Sequence, residues 1–391
     1  MTRSKDDFLP FGAPFIGEEE IEEVVACLRS GWIGKGPRVD RLERDFAAYR
    51  RTARAVAVNS CTAALHLSLL SIGLKPGDEV ITSPMTFCAT ANAIIHAGLK
   101  PVLADVDPVT QNIDPQCVED CITSRTRAIL PVHLAGRPCD MDALVAIAQR
   151  YDLEIVEDCA HATEAEFRGQ PLGTFGAFGC FSFYVTKNMT TAEGGMVLAR
   201  DTAGQERVKM LSLQGLSRDA WNRYSSDGYK HYEVVDCGFK YNMTDLQAAI
   251  GIHQLHRLEA NWQRRVALWD RYQQALSGVP VGLPAPPADN TRHARHLFTL
   301  QIDPDHCGMD RDAFMRGMND RHIGLGIHYA GLPDQPYYQR QFGWDPADFP
   351  HATRISRQTV SLPFSVRLSY EDADDVVEAV ASTIRSSTVS R

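Results

Sequence analysis

The chain has 391 residues, 44% of them apolar, and a net charge of −9 at neutral pH. That length exceeds what one hydrophobic core usually supports, so two lobes are expected. The acidic balance, with no run of Lys or Arg, argues against nucleic acid or an anionic membrane as the main partner, and any anionic ligand must be held locally by a few cations or N–H groups.

Ten cysteines are scattered without a CxxC pair. They read as reduced thiols of a cytoplasmic protein, and no metal site is expected from them. No apolar segment follows the N-terminal Met-Thr-Arg-Ser-Lys-Asp-Asp as in a signal peptide, and no stretch is long and apolar enough to span a bilayer.

In chain order, Gly17 to Arg29 reads as an amphipathic helix that opens on acids. The glycine-rich loop Ser30-Gly-Trp-Ile-Gly-Lys-Gly-Pro37 follows, then a helix from Val39 to Tyr49. Strands at Ala55–Val58, Glu79–Thr82, Pro101–Asp105, Ala128–Val132 and Leu153–Glu157 alternate with helices at Thr62–Ile72, Thr86–Ala97, Pro115–Ile122 and Met141–Tyr151. This alternation predicts an α/β domain with a mostly parallel sheet. Strands Cys180–Phe183 and Met196–Ala199 flank a loop that carries Lys187. A helical run from about 243 to 276 leads out of this domain, which is expected to cover 1–255. A smaller α+β domain, 256–391, would hold strands at Leu297–Ile302 and near Gly326–Tyr329, a helix at Arg311–Asp320 and a last helix at Tyr370–Ile384.

Several segments carry chemistry. Lys187 lies among apolar and hydroxyl residues, where desolvation favours a neutral amine able to form a Schiff base. A solvated loop lysine is the competing reading. Asp158 stands where an apolar strand ends, the place where α/β sheets present ligand-binding groups. A buried acid there can keep a pyridine nitrogen protonated, as pyridoxal phosphate (PLP) requires. His161 would reach the ring hydroxyl, or else bond to backbone. Asn59-Ser60-Cys61-Thr62 passes from a strand into a helix, whose first N–H groups bind phosphate; an ordinary N-cap by Ser60 or Thr62 competes. Phe87, just after a strand, would stack on a flat ring or fill the core. Ser182 would donate to the same phosphate. Lys240 and Asn242, in a loop entering a helix capped by Thr244, would complete the phosphate site or serve as loop polars.

These segments, with Gly77-Asp-Glu-Val-Ile-Thr-Ser-Pro84, Glu157-Asp-Cys-Ala-His-Ala162, Phe181-Ser-Phe-Tyr-Val-Thr-Lys-Asn188, Glu193-Gly-Gly195, Gly238-Phe-Lys-Tyr-Asn-Met-Thr-Asp245 and Gly326-Ile-His-Tyr329, resemble the DegT/DnrJ/EryC1/StrS family of PLP-dependent nucleotide-sugar aminotransferases over nearly the whole chain. The resemblance implies the aspartate aminotransferase-like fold (fold type I). It implies Lys187 as the residue bound to PLP, Asp158 at the pyridine nitrogen, His161 at the ring hydroxyl, Phe87 on the ring, and Cys61, Thr62 and Ser182 at the phosphate. It implies a homodimer with the site at the interface, so that the loop carrying Lys240 and Asn242 reaches the partner's phosphate. L-Glutamate would be the amino donor, leaving pyridoxamine phosphate (PMP), and a nucleotide-linked keto-sugar the acceptor.

Many members read Gly-Tyr-Asn-Tyr-Arg in that loop. The Lys240/Asn242 version resembles the branch that includes UDP-4-amino-4-deoxy-L-arabinose synthesis, which points to a 4-keto UDP- or dTDP-sugar. Trp32, Lys35, Arg38, His328 and Tyr329 are the candidate substrate contacts. Relatives with histidine in place of the lysine dehydrate sugars, so Lys187 favours transamination over a dehydratase. A non-catalytic PLP-binding regulator and an amino-acid or cyclitol aminotransferase also compete with the sugar aminotransferase.

Overall fold

The computed structural model of the chain describes residues 7–217 and 233–389. The first lobe opens with α1 (Glu18–Ser30) and α2 (Pro37–Tyr49). The Glu20 carboxylate accepts the Gly17 N–H at the start of α1, and the helix stops at Gly31, whose φ of 75° suits glycine. α2 begins on a proline and buries Val39, Leu42 and Phe46.

Strand–helix units follow: β1 (Ala55–Val58), α3 (Cys61–Ser71), β2 (Glu79–Thr82), α4 (Cys88–His96), β3 (Lys100–Leu103), α5 (Pro115–Asp120), β4 (Thr126–Leu130), α6 (Met141–Tyr151) and β5 (Glu154–Asp158). A hairpin of two short strands, β6 (Glu166–Phe167) and β7 (Gln170–Pro171), leads to β8 (Phe178–Ser182), β9 (Gly195–Ala199) and α7 (Thr202–Ser212). Seven of these strands form one sheet in the order β1-β9-β8-β5-β4-β2-β3. Within it, β9 runs antiparallel to both neighbours and the other pairings are parallel. The carboxyl ends of β1, β2, β5 and β8 therefore share one edge, and the start of β9 lies among them. Both sheet faces are covered, so β1, β2, β8 and β9 are buried along their whole length.

The helical run expected over 243–276 is two helices, α8 (Asp245–His256) and α9 (Leu258–Ala275). They part at Arg257, whose guanidinium is drawn back to Glu19 and Glu20 of α1. Beyond it come β10 (Thr291–Arg292), which joins the β6–β7 hairpin, and then β11 (Thr299–Gln301), α10 (Pro304–Cys307), α11 (Arg311–Asn319), α12 (Pro336–Phe342), α13 (Pro350–Gln358), β12 (Thr359–Ser361) and α14 (Tyr370–Val389). β11 pairs antiparallel with β12. The strand expected near Gly326–Tyr329 is a single bridge from Gly326 to Ser361. The chain leaves the ladder there, and the His328 side chain takes up Ser361 Oγ instead, at 2.8 Å.

A separate core joins Trp269, Tyr272, Phe298, Phe314 and Val380 of this region, with Leu9 from the start of the chain packed into it. The lobes are sewn together at Asp105, whose carboxylate accepts the His351 and Ala352 N–H groups at the start of α13. No helix among the described residues is long and apolar enough to cross a membrane.

Candidate active site

Asp158 ends β5 and is 4% exposed. One carboxylate oxygen accepts the Thr90 hydroxyl of α4 at 2.9 Å, and the other accepts the Ala160 N–H at 3.0 Å. Burial raises its pKa, against the pull of these donors and of Lys187. Lys187 follows the carboxyl end of β8 in a loop closed by its own N–H on Tyr184 O. Desolvation pushes its amine down to about 8, opposed by Cys61 and Asp158. About a tenth of the amine is therefore neutral at pH 7, far more than of an ordinary lysine, a property that suits a nucleophile and proton carrier.

Beside this pair lies a cup. Ser60 caps α3, its hydroxyl accepting the Ala63 N–H at 3.1 Å. The capping role thus falls to Ser60, and the exposed residue Thr62 stays outside the cap. The N–H groups of Cys61 and Thr62, in the first turn, have no intrahelical acceptor. Across the sheet, Ser182 pairs with Gly195, which pairs with Val58. A Cβ on Gly195 would stand 2.7 Å from Ser60 O and 2.8 Å from Cys61 N, so glycine alone lets β9 lie against the helix start. Ser182 is buried, and its Oγ accepts the Tyr184 N–H at 3.4 Å.

Phe87 is not core. It immediately precedes α4 and is 57% exposed, with its ring 5.9 Å from that of Tyr329. The two face a cleft of 760 Å³. His161 is buried, and its Nδ1 accepts the Ala135 N–H at 3.2 Å. Its Nε2 then carries the proton and donates to the Tyr329 hydroxyl, 2.9 Å away. The two rings are stacked, 5.8 Å apart. Burial holds His161 well below the ordinary histidine range, with Lys187, His296 and His328 adding to the effect. Burial likewise takes His328 down to about 4.

The other predicted residues form a second locality. Trp32 is half exposed. Arg38 is paired with Glu23 at 2.7 Å, and its N–H is bound by Asp245, which caps the start of α2. Lys35 lies 3.9 Å from Glu43, near Lys209 and Lys240. Lys240 Nζ donates to Asn242 Oδ1 at 2.5 Å, and the Asn59 N–H bonds to Tyr241 O. Within one chain, then, Lys187, Asp158, Phe87, His161, Ser182, His328 and Tyr329 come together with the α3 cup. Trp32, Lys35 and Arg38 lie instead with α1, α2 and the start of α8, and Asn242 bridges Val58 beside the cup.

Thr90 and His296 carry no signal in the sequence. They stand 68 residues before Asp158 and 108 residues after Asn188, the partners to which they bond. No local pattern marks such contacts.

One cluster has the composition of a metal site: His133, Glu157 and Cys159, with ligand atoms within 4.8 Å of one another. Its geometry is structural. Glu157 accepts the N–H groups of Gly173, Phe175 and Gly176, and His133 Nε2 at 3.3 Å.

The residues present suit PLP. A buried acid with only two donors, a depressed lysine, an exposed aromatic and a glycine-lined helix start match the nitrogen, aldehyde, ring face and phosphate of that molecule.

The sequence profile of the DegT/DnrJ/EryC1/StrS aminotransferase family matches residues 14–381. The spore coat polysaccharide biosynthesis protein SpsC of Bacillus subtilis (strain 168) is 48% identical over 387 residues, 98% of this chain and 99% of its own length. The PMP form of the putative sugar aminotransferase Spr1654 from Streptococcus pneumoniae superposes with a TM-score of 0.91 at 33% identity, over 97% of this chain and all of that one. DesI, solved in the presence of its TDP-sugar product, superposes with a TM-score of 0.87 at 28% identity, over 98% of this chain and 95% of that one.

Proposed function

The chain belongs to the DegT/DnrJ/EryC1/StrS aminotransferase family, whose cofactor is PLP, and from that premise we propose that it moves the amino group of L-glutamate to a keto-sugar carried by a nucleotide. The observation that carries this reading is the depressed amine of Lys187 beside buried Asp158. The TDP-sugar product named with DesI supports a nucleotide-linked acceptor. The Lys240/Asn242 loop favours a 4-keto sugar on UDP or dTDP, and the relation to SpsC favours a cell-surface polysaccharide as destination.

In this reading the Cys61 and Thr62 N–H groups, the Thr62 hydroxyl and Ser182 hold the phosphate, and Phe87 covers one ring face. Asp158 holds a proton on the ring nitrogen, with its two oxygens fixed by Thr90 and Ala160. PLP, when bound, supplies the electron sink that makes the carbon–hydrogen bond next to nitrogen labile. Lys187 Nζ would take the α-proton of glutamate and return it on the cofactor side, and in the second half-reaction would carry a proton the opposite way, to the sugar carbon that receives nitrogen. Tyr329, oriented by His161, closes the site on the side of Phe87.

The reading includes a homodimer. Lys240, Asn242, Trp32 and Lys35 would then serve the partner's site. Arg38, paired with Glu23, would meet a substrate only by leaving that partner. The reading also places the protein in the cytoplasm, where cysteines stay reduced.

Incubation with L-glutamate and 4-keto-sugars on UDP or dTDP, followed by mass spectrometry, tests the proposal. An amino-sugar nucleotide with equimolar 2-oxoglutarate is expected. Amination of keto-acids or keto-cyclitols alone would replace the acceptor. A deoxygenated sugar would move the reading to a dehydratase, and no turnover with any acceptor would favour the regulator.

A further inference from the structure

His296 is buried behind the site, and its ring lies 4.5 Å from that of His161. Its Nδ1 meets Asn188 Oδ1 at 2.9 Å. The orientation of the Asn188 amide is not open to choice. Its Nδ2 faces both oxygens of Glu164, at 3.1 and 2.8 Å, and the carbonyl of Ala294 at 3.0 Å, all of them acceptors. Glu164 is fixed in turn by Arg265. The oxygen of Asn188 must therefore point at His296, and His296 Nδ1 must carry the hydrogen. That leaves Nε2 as a bare lone pair. His296 and Lys187 line the same small cavity, and Asn188 is the residue after Lys187.

Resting on the reading that Lys187 is the PLP lysine, we propose that His296 is a positioning residue for Lys187. Held as the Nδ1–H tautomer by Glu164 and Asn188, it presents Nε2 as the acceptor that steadies the lysine's amine whenever that amine is free and protonated. His161 has the opposite tautomer, with Nδ1 bound to the Ala135 N–H. The two neighbouring imidazoles thus offer the site one acceptor and, through Tyr329, one donor.

A neutral acceptor favours the ammonium over the amine, so it limits how far burial depresses Lys187. Cys61 and Asp158 act in the same direction on Lys187. His161 and His328 also face the amine, as does His296 itself; burial keeps all three uncharged, and Arg265 and His293 press His296 the same way.

The test is the pH dependence of PLP capture by the unloaded protein, followed by the visible band of the lysine-bound cofactor with no amino donor or sugar present. In the wild type the capture rate rises with pH through the amine's pKa. His296→Asn keeps a donor for Asn188 but removes the acceptor, and its midpoint should fall by about one pH unit. His296→Gln places an amide oxygen near the Nε2 position and should restore the wild-type midpoint. Equal midpoints in wild type and His296→Asn, or equal shifts in both variants, would overturn the proposal. Should the variants not fold, the assigned ¹⁵N NMR signals of His296 in the wild type decide: the Nδ1–H form is expected, and an Nε2–H form of His296 would overturn it. A band in Lys187→Ala would instead contradict the lysine assignment itself.

Discussion

Glu157 and Asp158 are neighbours on one strand, yet they do opposite work. Glu157 points to one face of β5, where three backbone N–H groups and His133 fill its acceptor sites. Asp158 points to the other, where it has one hydroxyl, one N–H and the nearby charge of Lys187. Both are buried. The difference lies in acceptor capacity left open. A carboxylate whose lone pairs are all taken by its own chain is a fastener, and one with room for another donor is a site. The same contrast separates Lys187 from Arg265, a cation whose charge is answered by Glu164.

Substitutions can break this contrast. Asp158→Asn should have the largest effect: it cannot balance a protonated ring nitrogen, and kcat should fall by about 10²-fold or more while the melting temperature holds. Glu157→Gln should do the reverse. Its NH2 would face backbone donors, costing about 3 kcal/mol in denaturant unfolding, with kcat per folded molecule unchanged. Thr90→Val removes one donor from Asp158 and should lower kcat about tenfold, an effect that Thr90→Ser reverses.

A fourth effect is on stability against pH. The Lys187 amine, at about 8 in the folded chain, lies below its ordinary value of 10.5. Between those values the unfolded chain binds more protons, so the unloaded wild type gains stability as pH rises from 8 to 10.5. Lys187→Met should therefore melt higher than wild type at pH 7, and the gap should close by pH 10.5. A gap that does not change with pH would mean that burial of the amine has no cost.

Much of this was legible from the chain. Local signals marked each strand–helix unit of the first lobe, because apolar runs and helical periods are properties of short windows. Lys187 stood out as a lysine among apolar and hydroxyl residues, and Asp158 as an acid where an apolar strand ends. Phe87 was open between core and cleft, since an aromatic after a strand suits either; its 57% exposure settles where it lies. The pairing of Arg38 with Glu23 and of Lys35 with Glu43 was not legible, because no local pattern links those residues. The ion pairs that Arg257 makes at the break, with Glu19 and Glu20, were hidden because those residues lie more than two hundred positions away. The tautomers of His161 and His296 depend on contacts that only the folded chain creates.

The most direct measurement is a two-stage absorbance experiment on PLP-loaded protein. L-Glutamate should bleach the band of the lysine-bound cofactor, and, after glutamate is removed, one nucleotide-linked 4-keto-sugar should restore it; Lys187→Ala should show neither change. Bleaching and recovery that survive in Lys187→Ala, or a wild-type band untouched by glutamate and every other amino donor, would contradict the assignment of Lys187 as the centre of an aminotransferase site.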